Sequence, residues 1–144
     1  MSQVVDANLS VALVLPTSYS AKAQVLWERW SAEAADVFAP DLWAYEITSA
    51  LRKAMSITSM PFLEAEAHLE TLMRLGVQLV PPTLELDRLA LQWAEHLGQT
   101  VAYDAHYVAL AERLGCELWT ADRRLADSAG AEVSWVHWID EIAL

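Results

Sequence analysis

The sequence predicts an α/β fold: a three-layer α/β/α sandwich with a central parallel sheet of about five short strands. Two observations carry this. Short apolar or β-branched segments alternate with helical runs along the whole chain, and the four Gly and five Pro mark segment borders without forming a linker or a low-complexity stretch. Strands separated by helices pair in parallel through right-handed crossovers, which covers both sheet faces with helix.

The elements follow in order. Gln3-Val4-Val5 reads as a first strand, and Asp6 stands where an Asp caps the helical run Leu9 to Leu15. From Ser20 to Glu33, Ala23, Leu26, Trp27, Trp30 and Ala34 recur at three- and four-residue spacing, a helix signature. Val37-Phe38-Ala39 is a second strand closed by Pro40, and a helix runs from about Asp41 to Ser56. Ser59 with Pro61 starts the next helix, which stops at Gly76, and Val77 to Val80 is a third strand. After Pro81-Pro82 one helix runs to Gly98 and another from Asp104 to Gly115. Glu117 to Thr120 is a fourth strand, Asp122 to Ala126 a helical turn, and Val133 to Trp138 a last strand.

The 144 residues, 55% hydrophobic and 20% charged, suit one domain spanning 1–144. Nine Lys and Arg against twenty Asp and Glu give a net charge of −11, which argues against a nonspecific nucleic-acid coat or a binder of anionic membrane. One cysteine, Cys116, excludes an intrachain disulfide framework, and the scattered His68, His96, His106 and His137 argue against a structural zinc site. The N-terminus is too polar for a signal peptide, and no apolar run approaches the roughly 18 residues of a spanning helix, so a soluble cytoplasmic protein is expected.

Four acids depart from the default of a solvated surface charge. Glu46 lies in the apolar stripe Leu42, Trp43, Ile47, Ala50, Leu51, so it needs a cation, a hydrogen-bond network, a raised pKa or a buried Arg partner. Asp6 ends the first strand, Asp122 follows the fourth, and Asp104 opens the helix before that fourth strand. Each alone reads as an N-cap. If the first and fourth strands are neighbours, however, Asp6 and Asp122 share the carboxyl edge of the sheet, and Glu46 and Asp104 lean in from flanking helices. Carboxylates so gathered repel unless protonated or bridged by a divalent cation, and oxygen ligands suit Mg²⁺ or Mn²⁺.

The segments Val4-Val5-Asp6-Ala7-Asn8, Pro40 to Leu51 around Glu46, Tyr103 to Ala111 around Asp104, and Leu118 to Leu125 around Asp122 together resemble the PIN domain, in order and across nearly the whole chain. The compact size is similar to the VapC-type toxins of toxin–antitoxin pairs. The resemblance implies a metal-dependent endoribonuclease with Asp6, Glu46, Asp104 and Asp122 as its acidic quartet and Thr120 as the hydroxyl residue before the last acid. It also implies an RNA substrate, a homodimer and an antitoxin that masks the cleft. Asn8 reads as a support for Asp6 or as a turn contact, and Asp127 as an outer acid or a solvated helix end. Arg123 and Arg124 read as RNA phosphate contacts or as ordinary exposed charges.

The competing reading is a catalytically inactive interaction module of the same fold, which gains nothing from four mutually repelling acids. A receiver domain needs a late Lys, and the only lysines are Lys22 and Lys53. A dehalogenase-type phosphatase needs an Asp where Asn8 stands. The seven tryptophans read mainly as core, with some available for an oligomer or antitoxin face.

Overall fold

The computed structural model describes all 144 residues. Strand β1 (Ser2–Val5) leads into helices α1 (Ala7–Val11) and α2 (Ser20–Ala32), and β2 (Asp36–Pro40) into α3 (Leu42–Thr58) and α4 (Phe62–Met73). Strand β3 (Gln78–Val80) leads into α5 (Leu84–His96) and α6 (Tyr103–Leu114). Strand β4 (Glu117–Thr120) leads into α7 (Arg123–Gly130), and β5 (Val136–Trp138) closes on a 3₁₀ turn, Ile139–Glu141. Every strand pair is parallel, in the order β3-β2-β1-β4-β5. The chain builds outward from β1 in one direction and then from β4 in the other. The switch point of the sheet therefore lies between β1 and β4, where ligands of open α/β sheets sit beyond the strand ends.

Alternation along the two central strands splits the core. Val4 pairs with Leu118 and both face the larger apolar cluster, with Trp43, Ile47, Tyr107 and Leu110. Val5 pairs with Trp119 and both face the smaller one, with Leu26, Trp30 and Ile139. Helices thus cover both faces, and each large side chain buried this way contributes about 1.5–3 kcal/mol. Four tryptophans are buried and Trp27, Trp135 and Trp138 are half-buried, so none stands out as a free surface anchor.

Several borders differ from the sequence reading for local reasons. The first helix begins at Ala7 and ends at Val11, because the chain tightens into turns at Leu13 and Val14, whose amides bond three residues back, before Pro16. Ser59 does not start α4; it closes α3 in the left-handed region. The turn after Asp122 continues as a helix to Gly130, with Leu125, Ala126 and Ala129 buried on one side. The last strand shortens to Val136–Trp138, since the Val133 amide still bonds Ala129 at the end of α7. Helix α6 starts at Tyr103, so Asp104 lies inside its first turn and does not cap it.

Helix α1 is five residues long, too short to hold itself. Two indoles fix it. Trp43 Nε1 donates to Ser10 Oγ at 2.9 Å in the interior, and Trp27 Nε1 donates to the Leu9 carbonyl at 3.2 Å. This short helix carries Asn8 and follows Asp6 directly, so the large core positions the strand-end residues. Trp43→Phe should cost about 1–3 kcal/mol in denaturant unfolding, because it leaves the buried Ser10 hydroxyl without its donor. A change below about 0.5 kcal/mol would show that α1 is held by apolar contact alone.

Candidate active site at the carboxyl edge of the sheet

The β1/β4 register sets the centre of the site. The Asp6 amide donates to the Trp119 carbonyl at 3.0 Å, extending the ladder one residue past β1 and bringing Asp6 beside Thr120. Thr120 Oγ1 donates to Asp6 Oδ2 at 2.8 Å and accepts from the Asp122 amide at 3.0 Å. Asn8 closes the arrangement: its amide nitrogen reaches Asp6 Oδ2 at 3.4 Å and Thr120 Oγ1 at 3.5 Å, and its Oδ1 accepts from the Ala121 amide at 3.1 Å. Asn8 is thus a bridge between the ends of β1 and β4. Asp6 stands at the N-cap position of α1, yet its side chain makes no capping bond there.

The other acids arrive from three helices. Glu46 sits on the core side of α3 and is half-buried; its partner is a tyrosine, not an arginine, since Tyr107 Oη donates to Glu46 Oε1 at 2.6 Å. Asp104 lies in the first turn of α6, one turn before Tyr107. Asp122 does cap its helix, with Oδ1 accepting from the Arg124 and Leu125 amides at 2.9 and 3.3 Å. Asp6, Glu46, Asp104 and Asp122 line one pocket of about 370 Å³, together with Asn8 and Tyr19. All its donors are oxygen or amide groups, with no thiol or imidazole, a set suited to a hard divalent cation. As placed, no three of these groups close around a single point at metal-binding distance.

Electrostatics mark the pocket as strained. Burial raises the Asp6 carboxyl to about 7, and the charges of Glu46, Asp104 and Asp122 push the same way, outweighing the hydrogen bond from Thr120. Burial also raises Glu46, against the Tyr107 hydrogen bond and with Asp104 adding to it, and raises Asp104, with Asp122 adding to it. The Tyr107 hydroxyl is pushed up by burial and by Asp6 and Glu46, so it stays protonated and remains a donor.

Two neighbours of the site were not expected. Tyr107 follows Asp104 by three residues on one helix face, and that spacing is a signal the sequence holds. Tyr19 comes from the α1–α2 connection, where no periodicity points inward. Arg123 and Asp127 turn to each other at 3.5 Å on the exposed side of α7, with the Arg123 guanidinium 5.2 Å from the Trp138 ring centre. Arg124 is exposed on the same helix. Asp127 is therefore paired at the surface and does not line the acid pocket.

The family profile described as the PIN domain matches residues 4–131. Ribonuclease VapC3 of Pyrobaculum aerophilum is 38% identical over 135 residues, covering 93% of this chain and 99% of that protein. Among solved structures, one from Pyrobaculum aerophilum superposes with a TM-score of 0.70 at 22% identity, covering 98% of this chain and 91% of its own. VapC20 of Mycobacterium tuberculosis, described as a sarcin-ricin loop cleaving toxin, superposes with a TM-score of 0.66 at 18% identity, covering 90% and 94%.

The raised Asp6 has a definite consequence for stability. The folded state holds this proton more tightly than the unfolded chain, where an Asp titrates near 3.8, so stability falls as pH rises from about 4 through about 7 and levels off above. The slope contributed by one such group reaches about 1.4 kcal/mol per pH unit. In metal-free buffer, Asp6→Asn should flatten this decline and melt above the wild type at pH 8. Parallel melting curves across the range would show that Asp6 carries no excess proton.

Proposed function

The chain belongs to the PIN-domain family, and from that membership and the acid pocket at the β1/β4 edge we propose that it is a metal-dependent endoribonuclease, the toxin of a toxin–antitoxin pair. The observation that carries the reading is the gathering of Asp6, Glu46, Asp104 and Asp122 on one pocket with no Lys or Arg among its lining residues. Burying mutually repelling carboxyls costs several kcal/mol in an isolated fold, and a divalent cation offsets that cost directly.

Asp6, Asp104 and Asp122 would hold the ion, with Glu46 acting through water. Bound Mg²⁺ or Mn²⁺ would supply charge neutralisation and Lewis acidity for hydrolysis of an RNA phosphodiester. Thr120 and Asn8 fix one oxygen of Asp6, so this carboxylate is presented in a single orientation. Tyr107 occupies Oε1 of Glu46 and leaves Oε2 for the attacking water, whose proton Glu46 accepts. Cleavage by water leaves a 5′-phosphate and a free 3′-hydroxyl. The whole chain, 1–144, acts as the single nuclease domain.

Two protein partners belong to the same reading. An acidic pocket on a chain of net charge −11 attracts a basic element, which fits an antitoxin segment laid over the cleft. The exposed Ile57, Phe62 and Leu63 at the α3–α4 corner fit a second copy of the chain. The exposed Arg124, and Arg123 where its pairing with Asp127 opens, serve as phosphate contacts flanking the site. No helix is long and apolar enough to cross a membrane; a toxin that cuts RNA works in the cytoplasm, beside its substrate.

Titrating Mn²⁺ or Mg²⁺ should raise the melting temperature of the wild type. A hundredfold excess over Kd stabilises by about 2.7 kcal/mol. Asp104→Asn should lose most of that shift. The purified protein with Mn²⁺ should cut single-stranded RNA to 5′-phosphorylated products, and Asp6→Asn should reduce the rate at least about a hundredfold. Absence of both a metal-dependent shift and any metal-dependent RNA cleavage overturns the proposal.

A further inference from the structure

The acid pocket is one end of a longer track. Glu46 and Asp104 line it and also line an adjoining cavity of about 420 Å³, whose other walls include Tyr45, Tyr103 and Val101. Tyr45, Tyr103 and Leu42 in turn open onto a third cavity of about 330 Å³, walled by Pro40, Pro81 and Pro82 at the carboxyl ends of β2 and β3. Each half-buried acid thus has a tyrosine immediately before it in the chain, Tyr45 before Glu46 on α3 and Tyr103 before Asp104 on α6.

These two tyrosines differ from the tryptophans, and the one other aromatic as exposed, Phe62, lies away from this track at the α3–α4 corner. All seven tryptophans are buried or half-buried, whereas Tyr45 is 72% exposed and Tyr103 61% exposed. Large apolar side chains left open on two different helices, both facing one track, are not core. Their neighbours narrow the occupant. Asp41 and Asp87 line the far cavity, so a phosphate is disfavoured there, while Glu46 and Asp104 at the near one belong to the acid pocket and the cation it would hold. His106 is the one basic side chain there, and it already faces Asp87 at 3.8 Å. What such a surface accepts is a neutral, flat, aromatic group. A nucleobase offers that, stacking on a ring face without needing a positive charge beneath it.

We propose that Tyr45 and Tyr103, with the proline-walled cavity beyond them, form a base-stacking subsite that holds an unpaired nucleobase of single-stranded RNA next to the phosphate being cut. This rests on the acid pocket being the cleavage site and adds to it two residues that position the substrate. A base in a duplex is stacked on both faces and has none to offer, so the subsite selects loops and single strands. The prolines fix the cavity walls in advance, and a tyrosine has few rotamers to lose, so little ordering opposes binding.

The test measures binding apart from cleavage. In an Asp6→Asn background, a short fluorescein-labelled single-stranded RNA and its duplex are titrated by anisotropy against chains carrying Tyr45→Ala, Tyr103→Ala, Tyr45→Phe or Tyr103→Phe. Each Ala change should weaken single-strand binding by about five- to a hundredfold, while each Phe change keeps it, and the duplex should bind poorly throughout. In chains with Asp6 intact, the same Ala changes should raise KM for RNA cleavage and leave the metal-induced rise in melting temperature unaltered. Unchanged affinity and KM in the Ala variants overturns the subsite while leaving the nuclease reading intact. Tyrosine-dependent RNA binding in a chain that cuts no RNA removes the nuclease and with it the placement of the tyrosines beside a cut phosphate, leaving an RNA-binding face only. A dimer that Tyr45→Ala or Tyr103→Ala converts to a monomer in sedimentation, with RNA binding unaltered, assigns the face to self-association and also overturns the proposal.

Discussion

The adjacency of β1 and β4 is the constraint on which the site depends. Their parallel register, Val5 opposite Trp119, delivers Asp6 and Thr120 side by side just beyond the last paired residues. One hydroxyl then does two things, donating to Asp6 and accepting from the Asp122 amide, so two acids from opposite ends of the chain are tied through a single side chain. Asn8 spans the same gap and holds the Ala121 backbone. A one-residue slip would turn Val5 and Asp6 to the wrong faces, and the alternation of the two apolar clusters forbids it.

Stability and chemistry pull against each other at this edge. The interior supplies a firm base, with Trp43 and Trp27 anchoring the short α1 and Tyr107 buried under Glu46. On that base the chain sets an almost fully buried Asp6 among three other carboxyls, which burial and repulsion both oppose. The hydrogen bonds from Thr120 and Tyr107 moderate the conflict without removing it, because each satisfies one oxygen and neither brings positive charge. The remaining tension is what the proposed divalent cation would relieve.

Much of this was legible in the sequence because its signals are local and periodic. The apolar stripe of α3 placed Glu46 on the inward face, and the strand ends placed Asp6 and Asp122 on one edge once β1 and β4 were neighbours. What escaped depends on tertiary contact. Nothing local distinguishes an Asp that caps, as Asp122 does, from one at the same kind of position whose side chain turns to a neighbouring strand, as Asp6 does. The choice of Tyr107 over an arginine as partner of Glu46 required the packing of α6 against α3. Helix borders at Val11 and Gly130 moved for the same reason, since turn tightening and packing set them more than propensity.

Proton release on metal binding tests most directly whether the buried acids are held in wait for a cation. Calorimetric titration of Mn²⁺ in buffers of different ionisation enthalpy counts the protons released per ion. With Asp6 raised to about 7, close to one proton should leave per ion at about pH 6, falling toward none above about pH 8.5. Binding with no proton release at the lower pH, or no binding at either, would contradict the account.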